Sequence, residues 1–185
     1  MPRDASTTEK IIRATEKRMR DSGYHGFSFR DIAADVGIKS SSVHHHFPTK
    51  DALGAAAARA YAERFLEALG DPSDRPMPDA LAHMVSLFKQ ALETDAQMCL
   101  CGLLGAECAS LPAAVKNEAR YFFGEAQAWL MVVMGEHPGP REAEAQTFLA
   151  ALEGAMLIAH ATDESGYLEN VGNALLSRFG AKPAA

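Results

Sequence analysis

Three groups of side chains in this sequence could do chemistry. Cys99, Cys101 and Cys108 offer thiol nucleophiles, His44, His45 and His46 offer imidazoles, and basic and hydroxyl groups crowd the stretch from Arg30 to Lys50. Consecutive helical positions differ by about 100 degrees, so the three histidines cannot converge on one ion as an i, i+4 pair can. No metal site is expected there, and no cofactor anywhere in the chain. An odd number of cysteines argues against a disulfide framework. Cys99 and Cys101 flank Leu100 near an expected helix start, where the helix dipole would lower a thiol pKa and favour attack on electrophiles or oxidants. Small thiols filling a tight helix contact beside Gly102 and Gly105 account for the same residues. A cysteine-dependent enzyme is an alternative of another class, although no cysteine-histidine motif is recognisable.

The third group has the clearest local scaffold. From Ser28 to Lys50 the chain reads SFRDIAADVGIKSSSVHHHFPTK. Ser28 can cap the amide of Asp31 while the Asp31 carboxylate reaches back, and Ile32, Ala33 and Val36 then fall on one buried helical face. Gly37 suits the left-handed conformation that ends a helix, with Ile38 folding back onto the core. A second helix follows from about Ser40, with Val43 and Phe47 as its inner stripe and Pro48 closing it. Two short helices about a three- or four-residue turn form a helix-turn-helix, a unit that reads double-stranded DNA.

These residues resemble the TetR family of one-component repressors, whose pattern runs roughly Arg-x-Ile-Ala-x-x-x-Gly-Val-Ser, then Leu-Tyr-x-His-Phe-x-x-Lys. The chain has Arg30, Ile32, Ala33, Gly37, Ile38, Val43, His46, Phe47, Lys50 and Leu53 in register, and Gly23-Tyr24 also fits. It departs from the pattern at Lys39, where a capping serine is usual, at Ser41 for glycine, and at His44 for tyrosine. The resemblance covers about the first quarter of the chain. It implies that Lys50 and His46 hold phosphates, that Arg30 reads a guanine edge, and that Ser40, Ser41, Ser42 and His44 face the major groove with Lys39 beside them. A surface ion pair of Arg30 with Asp31 or Asp35 is the competing reading for that residue.

At 185 residues and 48% hydrophobic, the chain is long for a lone DNA-binding module and must contain a second region. Its net charge of -6 conceals a division: residues 1–50 hold nine basic and six acidic groups, net +3, leaving nine basic and 18 acidic beyond Lys50, net -9. A basic head can approach phosphates while the body is repelled from them. No apolar run approaches the roughly 20 residues of a membrane span and the N-terminus is polar, so a cytoplasmic location without membrane contact is expected.

The expected fold is all-α, with about nine helices: a helix-turn-helix head over residues 1–50 and a helical effector-binding and dimerisation body over 51–185. Ser6-x-x-Glu9 opens a first helix through about Ser22, with Ile11, Ile12, Ala14 and Met19 inward. A helix from Lys50 to Leu69 carries Leu53, Ala57, Tyr61, Phe65 and Leu69 at four-residue spacing. Gly70 to Pro76 is a loop, and further helices cover Pro78 to Thr94, Cys101 to Ser110, Pro112 to Gly135, Pro140 to His160 and Tyr167 to Phe179. Effector-pocket candidates are Met84, Leu87, Phe88, Leu103, Phe122, Phe123, Trp129, Met134, Met156 and His160, with Glu107, Gln127 and Glu153 as further polar candidates; apolar residues at this spacing are also ordinary core. Two C-terminal helices pair across a dimer in the resembling family, which makes Leu149, Leu152, Met156, Leu168, Val171, Leu175 and Phe179 interface candidates, the alternative being an intramolecular core. The expected function is ligand-controlled binding of a homodimer to a palindromic operator, as a repressor by family default, with a small-molecule effector or, alternatively, a thiol switch at Cys99 and Cys101. A purely helical interaction module is a third reading.

Overall fold

The computed structural model describes residues 6–95, 98–135 and 141–180, and among them every regular element is helical. In chain order the helices are α1 (Thr7–Ser22), α2 (Phe29–Val36), α3 (Ser40–His46), α4 (Lys50–Leu69), α5 (Met77–Asp95), α6 (Leu100–Ala106), α7 (Ala113–Met134), α8 (Arg141–Thr162) and α9 (Gly166–Arg178). The expected start of α8 at Pro140 lies outside the described residues.

The head assembles as its local signals dictate. Ser6 and Glu9 form a reciprocal capping box at the start of α1, and Ser28 and Asp31 form another at α2. Ile11, Met19, Ile32, Val43 and Leu53, all fully buried, join the three head helices to the start of α4. The inner face of α1 also includes Thr15, Glu16 and Arg20, which apolar periodicity could not reveal. Each has a partner: the Thr15 hydroxyl donates to the Ile11 carbonyl at 2.8 Å, Glu16 pairs with Arg64, and Arg20 donates to the Met98 carbonyl at 2.8 Å.

Head and body share the twenty-residue helix α4, which packs on α1 on one side and most extensively on α7 on the other. The Gly70–Pro76 loop therefore lies between α4 and α5, within the body. Tyr61, Phe65, Phe88, Phe122 and Phe123 interlock where α4, α5 and α7 meet, with ring centroids 5.2–6.1 Å apart. Helices α8 and α9 pair with each other at the far side, and α5 packs against α9.

The segment expected as one helix from Cys101 to Ser110 is instead α6, ending at Ala106, followed by a single 3-10 turn at Cys108–Ser110. The break falls at Glu107, whose carboxylate reaches back to the head and accepts the Tyr24 amide at 3.0 Å. His25 Nε2 lies 3.4 Å from Ser110 Oγ in the same contact. A tertiary hydrogen bond thus fixes this boundary rather than local propensity.

Candidate nucleic-acid interface

Gly37 closes α2 in the left-handed region, at φ 75° and ψ 34°, a conformation that costs residues with a Cβ. The Ile38 amide then donates to the Ala33 carbonyl at 2.9 Å, which folds the chain sharply into α3. Val43 anchors α3 inward, with Phe47 buried just beyond its end, and this leaves Ser41, His44, His45 and His46 exposed and Ser40 and Ser42 half exposed. Lys39 occupies the N-cap of α3 and makes no side-chain cap, as its departure from the usual serine implies.

Arg30 is exposed at the first turn of α2 and forms no ion pair or hydrogen bond among the described residues. Its two expected partners are engaged elsewhere. Asp31 caps Ser28, whose hydroxyl holds that carboxyl below its usual range. Asp35 takes a two-pronged contact from Arg18 on α1, including Nη2 to Oδ1 at 2.9 Å, and this likewise lowers its pKa. The Arg30 side chain is left exposed at the start of α2.

His46 Nδ1 lies 3.0 Å from Thr8 Oγ1, so the end of α3 is tied to the first turn of α1. Lys50 opens α4 behind a Thr49 cap on the Ala52 amide, with its ammonium 4.4 Å from the Phe27 ring centroid and 4.9 Å from that of Tyr24. Partial burial draws its pKa below the ordinary lysine value. The Tyr24 hydroxyl donates to Asp51 Oδ1 at 2.7 Å and closes this corner. The N-termini of α1 and α4 therefore flank the end of α3, and helix N-termini favour anions such as phosphates. Sequence reasoning missed Thr8, Tyr24 and Phe27 as supports because they lie far from their partners along the chain. His45 is exposed, its ring edge-on to His46, and no metal-binding group of three ligands occurs among the described residues.

The body candidates divide. Met84, Phe88, Phe122, Met134 and Met156 are fully buried packing residues, Trp129 is nearly so, and Leu103 and Phe123 are half-buried against the core. Leu87 lines a cleft of about 270 Å³ with Glu16, Arg20, Tyr61, Arg64, Phe65, Gln90 and Ala91, whereas His160 lines a separate one of about 220 Å³ with Leu92, Ala159, Asp163 and Ser165. Glu107 sits at the head–body contact instead of orienting a ligand, and Gln127 is half-buried.

The structure favours the packing reading of Cys99 and Cys101 over the alternative of activated thiols. Cys99 does cap α6, its sulfur accepting the Gly102 amide at 3.4 Å. Yet Cys99 and Cys101 are both buried, and desolvation together with the Glu153 carboxylate pushes both thiols well above the usual range. A seven-residue helix has too little dipole to offset that. Cys99 meets Tyr61, the Gly102 amide and Met156 Sδ, and no histidine that could activate it. Only Cys108 among the three is exposed.

The interface candidates are also placed differently from expectation. Leu149, Leu152, Met156, Leu168, Leu175 and Phe179 are buried within the single chain, and Val171 is half-buried, so they form the inner seam between α8, α9 and the rest of the body. The large apolar side chains exposed on the body are Val132 at 55%, Leu157 at 48%, Tyr167 at 39% and Ile158 at 38%.

A helix-turn-helix head fused through one long helix to a helical body defines the class of one-component transcriptional regulators. Residues 11–61 match the model of the bacterial regulatory proteins, tetR family. The chain superposes on a TetR transcriptional regulator from Legionella pneumophila with a TM-score of 0.89, at 26% identity over 95% of this chain and 98% of that one. A TetR-family regulator from Agrobacterium tumefaciens matches at 0.84 and 27% identity over 92% and 96% of the two chains. FadR from Bacillus subtilis, solved with stearoyl-CoA, shares the fold at 0.75 and 15% identity over 91% and 95%. No curated protein sequence matches significantly. Residues 11–61 thus match the family's model, and nearly the whole length of the chain shares the fold of TetR-family regulators. No helix among the described residues is long and apolar enough to cross a membrane.

Proposed function

We propose that this protein is a cytoplasmic repressor that binds a palindromic operator as a homodimer and is released by a small-molecule effector. One observation carries the reading: Arg30 stands exposed and without an ion pair among the described residues, and Lys39, Ser41 and His44 are exposed at and along α3, whose end is tied by His46 to the N-terminus of α1 and followed by that of α4. Lys50, His46 and the two helix ends would hold phosphates and fix register. Arg30, Lys39, Ser40, Ser41, Ser42 and His44 would face base edges, with the guanidinium fork suited to guanine. Two such heads must meet successive major grooves about 34 Å apart, so a two-fold dimer reads a near-palindrome. The exposed Leu157, Ile158 and Tyr167 on α8 and α9 supply the apolar face for that pairing.

Selection of bound sequences from a random duplex pool by the purified protein tests this reading. Enrichment of a palindrome is expected. Enrichment of nothing, with and without candidate effectors, would remove it.

A further inference from the structure

Among the described residues of the body, Glu153 is a buried carboxyl with no cation beside it. Glu153 on α8 has both carboxylate oxygens buried, and among the described residues only the Cys99 thiol acts on it as a hydrogen-bonding neighbour. It points at the start of α6, where a Cβ on Gly102 would lie 2.4 Å from its Oε2, so the absence of a side chain there makes the carboxylate's room. Three carboxylates act on the nearby Cys101, those of Glu153, Glu118 and Glu16. Glu118 is paired with Arg59 and Glu16 with Arg64, whereas Glu153 has no cation among the described residues. The titratable groups around it are Cys99 and Cys101 at the start of α6 and, through Cys99, the phenol of Tyr61 on α4. Burial keeps all three neutral, and the Arg20 guanidinium of α1, 5.7 Å from the Tyr61 ring centroid, acts on that phenol and donates to the Met98 carbonyl. Native interiors rarely strand such a group, and an orphaned buried carboxylate calls for an explanation.

We propose that Glu153 is the charge-recognising residue of the effector site, and that the effector it takes is a small organic cation, a protonated amine held between α6 and α8 beside Cys99 and Tyr61. A cation supplies the missing counter-charge and the N–H donors that both oxygens lack. Tyr61 stands between the two: it lines the 270 Å³ cleft of α1, α4 and α5 together with Glu16, Arg20 and Arg64, and its hydroxyl meets Cys99. The inference rests on the regulatory reading for its purpose, although its chemistry stands apart from it. Burial pushes the Glu153 carboxyl up to about 7. An amine therefore binds the ionised form, and its affinity rises about tenfold between pH 6 and pH 8.

The test uses the full chain without DNA and a graded series of primary amines, from methylamine to benzylamine, each matched by the alcohol of the same shape. Calorimetry or thermal shift should find amines that bind the wild type, more tightly at pH 8 than at pH 6, with the alcohols inert and Glu153→Gln unresponsive. Gly102→Ala, which crowds the carboxylate without altering its charge, should weaken the same amines. The inference is overturned if amines and alcohols act alike, if no amine binds, or if Glu153→Gln retains the response. Should Glu153→Gln not fold, the amine–alcohol contrast and pH dependence of the wild type decide the matter alone. Amine binding without any enriched duplex would sink the regulator and keep the site; an enriched palindrome without amine binding would do the reverse.

Discussion

Lys50, the proposed phosphate contact, also rests against two aromatic rings. The family resemblance around Phe47 and Lys50 implies a phosphate contact, but gives no sign of the Phe27 and Tyr24 rings beside the ammonium, which lie more than twenty positions earlier. Lys50→Ala should weaken operator and non-specific DNA alike and lower the slope of log affinity against log salt by about one. Unchanged binding in a salt titration would remove Lys50 from the contact set. Glu153 was equally visible as a residue and invisible as a problem, because no pattern of spacing reports that a carboxylate will be buried alone. Its pKa rises from 4.5 in the unfolded chain to about 7 in the folded one. Between those values the native state holds a proton that the unfolded state has lost, so stability falls as pH rises from about 4.5 to about 7 and is flat above. The loss totals ~3 kcal/mol. Glu153→Gln should therefore melt higher than wild type at pH 8 and about equally at pH 4.5; parallel melting curves would mean that water reaches the carboxylate.

At the scale of elements, most boundaries were written locally. Ser6 with Glu9, Ser28 with Asp31, and Gly37 each set a helix end through their own backbone neighbours, and each appears where the sequence placed it. Helix α6 is the exception, because Glu107 is drawn to an amide 83 positions away. That bond joins the element carrying Cys99, Cys101 and Gly102 to the corner where Tyr24 holds Asp51 beside Lys50. Glu107→Ala strands the Tyr24 amide, at a cost of about 1–3 kcal/mol if water cannot replace the carboxylate. Operator affinity should fall while its salt slope stays the same, since no phosphate contact is lost. A changed slope in the same titration would place Glu107 at the DNA itself.

For the whole molecule, the +3 head and -9 remainder visible in the sequence fit the proposed division of labour, with the α3 face turned to DNA. The pairing surface was less legible. Periodicity identified apolar stripes on α8 and α9, but an amphipathic helix does not state which stripe serves its own chain and which a partner. Leu149, Leu152 and Leu168 proved to be inner, while Leu157 and Ile158, adjacent in sequence and outside that period, are outer. Placing a charge at each outer residue, Leu157→Glu with Ile158→Glu, should yield a folded monomer by sedimentation, with operator binding reduced at least a hundredfold because one head must then act alone. A dimer that survives would move the interface elsewhere.

The single tryptophan, Trp129 on α7, is nearly buried and donates from Nε1 to the Gly70 carbonyl at 2.8 Å, at the body end of α4. A twenty-residue helix is about 30 Å long, so a tilt of roughly five degrees about this end carries Lys50 some ~2.5 Å. The indole's emission depends on that hydrogen bond and on its exclusion from water. The chain therefore carries a native fluorophore at the body end of the helix that joins head to body, and any tilt of that helix can be followed by light without attaching a label.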